Sequence, residues 1–154
     1  MKIELLIKVA FACMACDGEI DATEINCIKQ VFEKLDSTKL ETVSQLINDF
    51  RDQLNADNKK FFNSLFTELK KTTLTESEEI ELIVIAIKII ESDDVVDYSE
   101  VKLLKKIRSY LKISDQTLLN AMPDKEDYIA SDINNNVGFF DNFSSSISIK
   151  EIEL

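Results

Sequence analysis

Cys16-Asp17-Gly18-Glu19-Ile20-Asp21-Ala22-Thr23-Glu24-Ile25 and Ser92-Asp93-Asp94-Val95-Val96-Asp97-Tyr98-Ser99-Glu100-Val101 read alike. Both follow Asp-x-x-aliphatic-Asp-x-x-Glu-aliphatic, at a constant offset of 76 residues from Asp17 to Asp93. The match continues outward: Ala10 falls on Ala86, Met14 on Ile90, Ile28 on Leu104 and Val31 on Ile107. An almost wholly apolar segment precedes each acidic stretch, and an amphipathic one follows it. A helix with no polar face belongs in the middle of a domain. The pattern therefore predicts two helix–acidic loop–helix units with their apolar first helices packed together. The expected fold class is all-α: a compact bundle of about seven helices with an internal pseudo-two-fold repeat.

Hydrophobic spacings of three and four along the rest of the chain fit the helical period and not the strand period. They predict helices over Ile3–Ala15, Ala22–Leu35, about Leu40–Leu54, about Asp57–Lys71, Thr75 to about Glu91, Tyr98–Leu111 and about Asp115–Ala121. The segment around Ile80–Ile90 is rich in β-branched residues and could pass for a buried strand. Its length and the capping sequence Thr75-Glu76-Ser77-Glu78 favour a helix. After Pro123 the character changes. Residues 131–146 are rich in Asn and Ser, with Phe139, Phe140 and Phe143 among them, which reads as a loose tail, partly ordered or docked by its phenylalanines. The expected division is a helical domain over 1–122 and a C-terminal tail over 123–154.

Composition narrows the function. Two glycines, Gly18 and Gly138, cannot make a dinucleotide or phosphate-binding loop. The chain has no histidine, so it lacks the commonest general base, the commonest nucleophile partner and the commonest zinc ligand. A net charge of −11, from 29 acids against 18 bases, repels nucleic acid and anionic lipid and attracts cations or basic protein surfaces. Basic residues come as short pairs, Lys59-Lys60, Lys70-Lys71 and Lys105-Lys106. Cys13, Cys16 and Cys27 are too few and too clustered for a disulfide framework. The first residues lack the features of a secretory leader, and the apolar run Val9–Cys16 is too short to span a bilayer. These features place the protein in the cytoplasm with reduced thiols, as a non-enzyme that meets other proteins, with no nucleic acid and no membrane insertion. No heptad seam demands a dimer, although a homodimer is compatible with so unbroken a surface.

The acidic stretches have two readings. Asp17-Gly18-Glu19-Ile20-Asp21-Ala22-Thr23-Glu24 fits positions five to nine and twelve of an EF-hand loop, with Asp17, Asp21 and Glu24 as oxygen donors. The first half fails, because Cys13 and Ala15 stand where carboxylates belong. A regular calcium loop is excluded, and what remains is a half-site for a divalent cation of unspecified identity. The second stretch has Asp94 in the place of the glycine. Alternatively, Asp21-x-x-Glu24 and Asp97-x-x-Glu100 are capping boxes, and Asp17-Gly18 is a turn. Cys13-x-x-Cys16 closes a helix where a redox motif would open one, so the default is small buried residues.

The run Ala12 to Glu24, and its echo Ile90 to Glu100, resemble the TerB-like family associated with bacterial tellurite resistance, as does Leu111-Lys112-Ile113-Ser114. The resemblance covers residues 1–122. It implies an all-helical fold without catalytic machinery, a role in stress responses to metals or oxyanions, and scaffolding of protein partners. It also implies Asp17, Asp21 and Glu24, with Asp93, Asp97 and Glu100, as metal contacts. A related helical domain occurs in co-chaperones, so the alternative is a protein–protein interaction domain whose acidic loops only cap helices.

Overall fold

A computed structural model of the chain describes residues 3–16, 22–35, 40–92 and 98–129. Among them are eight helices: α1 (Ile3–Ala15), α2 (Ala22–Leu35), α3 (Leu40–Ala56), α4 (Asn58–Lys71), α5 (Glu76–Ile90), α6 (Tyr98–Ser109), α7 (Asp115–Ala121) and α8 (Glu126–Ile129). The all-helical expectation holds. Helix starts keep the offset seen in the sequence, since α2 opens at Ala22 and α6 at Tyr98. The loops 17–21 and 93–97 lie outside the described residues, and a two-fold relation between the units is not established by matching helix starts.

α1 is the axis of the bundle. Every residue from Leu5 to Ala15 is buried, and α1 packs on α2, α3, α4, α5 and α6. That explains its composition, because no side of it meets water. The one charge in this run, Lys8, is only 4% exposed. Its Nζ lies 2.9 Å from Glu68 Oε1, donates to Ser64 Oγ at 2.6 Å, and stands 5.7 and 5.5 Å from the ring centroids of Phe50 and Phe61. A buried ammonium survives only with such partners.

α5 is the second apolar helix and packs on α1, α2 and α6. Its β-branched centre is helical because its first turn is closed by a complete capping box. Thr75 Oγ1 accepts from Glu78 N at 3.2 Å, and Thr75 N donates to Glu78 Oε1 at 3.1 Å. With neighbours on several sides, the isoleucines need no strand pairing to be buried. α3 and α4 fold against each other across Asp57, which is the N-cap of α4 and not its first residue: Asp57 Oδ1 accepts from Lys60 N at 3.1 Å. Phe11, Phe50 and Phe61 meet there, with ring centroids 5.7–6.2 Å apart, as aromatic pairs prefer.

α6 ends at Ser109, two residues before the periodicity predicts. Leu111 and Ile113 are nevertheless buried. They reach the core from the non-helical connection between α6 and α7, and Glu79 on α5 makes that possible. Its buried carboxylate accepts from Lys112 N at 3.0 Å and from Ile113 N at 2.8 Å, satisfying two amides that a continued helix would have paired. Ser114 then caps α7, its Oγ accepting from Thr117 N at 3.2 Å. Beyond Pro123, residues 126–129 form α8, which packs on α6 and α7 and buries Ile129. The Asn- and Ser-rich remainder, with the phenylalanines expected to dock, lies outside the described residues. No helix among the described residues is long and apolar enough to cross a membrane.

Candidate functional site

Four of the six expected metal contacts, Asp17, Asp21, Asp93 and Asp97, lie outside the described residues. The other two, Glu24 and Glu100, are described. Each occupies the third position of its helix, α2 or α6, and each is nearly inaccessible, at 3% and 2% exposure. Glu78 holds the same position in α5 and closes a full capping box, yet it is only partly buried. The local signal is the same in all three helices. The deep burial of Glu24 and Glu100 therefore comes from the packing and not from the cap.

Both carboxylates bear on one atom. The thiol of Cys13, fully buried near the end of α1, is pushed well above its ordinary range by burial first, then by the negative charge of Glu100 and of Glu24. α2 and α6 both pack on α1, which carries Cys13, and the thiol stays neutral. Two buried carboxylates sharing one end of the core make a region of negative potential there. The positive ends of α2 and α6 favour a carboxylate in the first turn of each helix. Among the described residues no group of three or more Cys, Asp or Glu side chains is placed to hold a metal ion. A complete oxygen cage therefore needs donors from the acidic loops.

The three cysteines are free thiols. Cys16 Sγ donates to the Cys13 carbonyl at 3.4 Å. Cys27 lies elsewhere, half-buried in an open groove of about 420 Å³ between α2 and α5, with Val31, Val84 and Ile85. Burial also raises the Cys27 thiol, with Lys88 opposing. The default of small buried residues holds for Cys13 and Cys16.

A polar cluster that spacing could not reveal sits beside the second acidic stretch. Lys125 Nζ lies 2.7 Å from Glu91 Oε1, and Tyr128 Oη donates to Glu91 Oε2 at 3.3 Å. Glu91 is the C-cap of α5, so α8 is fastened to the residue that leads into the loop 93–97. The Tyr128 phenol is raised by burial, by the Glu91 charge and by its hydrogen bond, and Glu100 adds to the same effect. Only the pairing of opposite charges across more than thirty positions could have signalled this, and composition does not encode it. Lys8 had a weak signal, a lone charge in an apolar helix.

An all-helical bundle whose two acidic connections are each followed by a buried N-terminal glutamate defines a small acidic helical module. The family model described as tellurite resistance protein TerB matches residues 3–122, and the chain belongs to that family. No curated protein and no solved structure matches the chain.

Proposed function

We propose that this TerB-family module is a non-enzymatic, cytoplasmic stress-response protein that binds a divalent cation weakly at its acidic loops and presents those loops to protein partners. The observation that carries the reading is the burial of Glu24 and Glu100 at the third positions of α2 and α6, helices that both pack on α1. Both carboxylates are buried, and each follows closely in sequence on a stretch carrying further acids. Asp17, Asp21 and Glu24 form the first donor set, and Asp93, Asp97 and Glu100 the second. Bound water completes the coordination, as the missing first half of the calcium-loop pattern requires. A hard cation fits better than zinc, because the available donors are oxygens and the Cys13 thiol is held protonated.

The absence of histidine supports a binding role over a hydrolytic one. A role in tellurite resistance follows from the family alone. The test is thermal unfolding of metal-stripped protein with calcium, magnesium, manganese or zinc. A cation at about a hundred times its dissociation constant adds roughly 2.7 kcal/mol, visible as a rise in melting temperature. A rise with one hard cation that Asp21→Asn removes supports the reading. No rise with any cation reduces the acidic loops to caps and turns and leaves the protein–protein interaction domain as the function.

A further inference from the structure

We propose that the outer face of α6, together with the end of α4, is a docking surface for a short acidic segment of a partner protein. The inference is independent of the cation reading and concerns a surface of opposite charge. Residues 101–114 carry five bases and no acid, in a chain whose net charge is −11. Tyr98, Lys102, Lys106 and Tyr110 recur every four positions and so line one side of α6 and its end.

The side chains interleave with rings. Lys102 Nζ stands 5.1 Å from the Tyr98 centroid, and Lys106 Nζ stands 5.5 Å from Tyr110 and 5.8 Å from Phe66. Lys70, from the last turn of α4, lies 5.3 Å from the same Tyr110 ring. The fold thus brings lysines from two separate sequence pairs onto one ring. Among the described residues, none of Lys70, Lys102 and Lys106 pairs with a carboxylate, whereas Lys8, Arg51, Arg108 and Lys125 all do. Ring contacts position these ammonium groups but leave their charges unneutralised, so the groups still repel one another. An anion laid between them removes that repulsion. Tyr98, 65% exposed, extends the face with apolar area.

Charge and shape select the occupant. The cations on this face are lysines, which act as point charges, and the neighbouring fork suited to phosphate, Arg108, is held by Asp115 at 2.6 Å. A duplex or a bilayer presents negative charge over an area wider than one helix face, and would also meet the rest of a surface rich in acids. A short acidic peptide touches the face alone.

The experiment measures fluorescence anisotropy of a labelled alternating Glu-Ala peptide of about ten residues, titrated with the full chain in chelator at about 50 mM salt. Saturable binding that weakens with salt is expected. It should fall about tenfold or more in Lys102→Glu/Lys106→Glu, and by a smaller factor in the neutral Lys70→Gln/Lys102→Gln, with melting curves confirming that both variants fold. The control Lys59→Glu/Lys60→Glu, the same charge change on exposed lysines at the other end of α4, should stay within about twofold. Equal loss in the control would reduce the binding to bulk charge and overturn the proposal. So would no binding at about 1 mM peptide. Tighter binding of phosphatidylserine vesicles or an oligonucleotide would assign the face to another anion and overturn it. Self-association abolished by the Lys102/Lys106 reversal would assign it to a second copy and overturn it too.

Discussion

Replacing Glu79 probes how the bundle joins α6 to α7. Its carboxylate accepts from two consecutive backbone amides, Lys112 N at 3.0 Å and Ile113 N at 2.8 Å, and is 5% exposed. Hydrogen bonds to a charged group contribute about 1.5–3 kcal/mol each. In Glu79→Gln one oxygen remains to accept, while the new amide group faces the second N–H with a donor. One bond is lost and one amide is left unsatisfied, so the expected cost is about 1.5–3 kcal/mol. In Glu79→Ala both amides lose their partner, with an expected cost of about 3–5 kcal/mol after relaxation of the connection. At about 2–4 °C per kcal/mol for a chain of this size, the Gln variant should melt roughly 3–12 °C lower and the Ala variant lower still. Calorimetry gives the melting temperatures, and amide exchange read by NMR should accelerate at Lys112 and Ile113 first. A negligible loss in Gln beside a large loss in Ala would mean that the side chain acts by filling space and not by accepting both of these bonds. Losses of less than about 0.5 kcal/mol in both would sink the reasoning outright.

Other expectations follow from the same packing. Glu68→Ala strands the buried Lys8 ammonium with only Ser64 and two rings, and should cost about 1–3 kcal/mol by denaturant unfolding, moderated because Glu68 is half-exposed. Lys8→Met removes the charge that needs compensation and should stay within about 1 kcal/mol of the parent or exceed it; a loss as large as that of Glu68→Ala would contradict the account. In the native protein Cys27 should react with a thiol reagent well before Cys13 and Cys16, because it opens into a groove while they are buried; simultaneous reaction of all three would contradict this. The raised Cys13 thiol also sets a pH dependence. The unfolded chain ionises near its ordinary value of 9.0 while the folded chain keeps the proton, so this contribution is fully present below that pH and is lost as pH rises above it. Alkaline urea titrations should show a shallower decline in stability for Cys13→Ala than for the parent, and identical slopes would refute the assignment.

Much of the fold was legible because hydrophobic period and caps are local signals. α1, α2 and α7 begin and end where the sequence places them, and the Thr75–Glu78 box resolved the ambiguity of the isoleucine-rich α5. What failed was long-range. Leu111 continues the period of α6, so sequence spacing extends the helix to it, but the chain turns at Tyr110 because a carboxylate more than thirty residues away accepts the amides that follow. The same holds for the candidate site. Glu24 and Glu100 stand out by spacing, but their burial beside Cys13 depends on how α1, α2 and α6 meet. The lysine pairs read as scattered along the chain, yet Lys70 and Lys106 face one tyrosine ring in the fold.

The central claim is that the buried glutamates and the acidic loops beside them hold a cation. Isothermal titration of metal-stripped protein with manganese and with calcium, run in parallel on Asp21→Asn, Asp97→Asn and Glu24→Gln, tests it most directly. The account predicts saturable binding in the parent with a dissociation constant of about 10⁻⁴–10⁻³ M, the weak end of the range for oxygen-ligated calcium sites, weakened about tenfold or more in Asp21→Asn and in Glu24→Gln. Absence of heat at millimolar cation, or binding that none of the three substitutions changes, would contradict it.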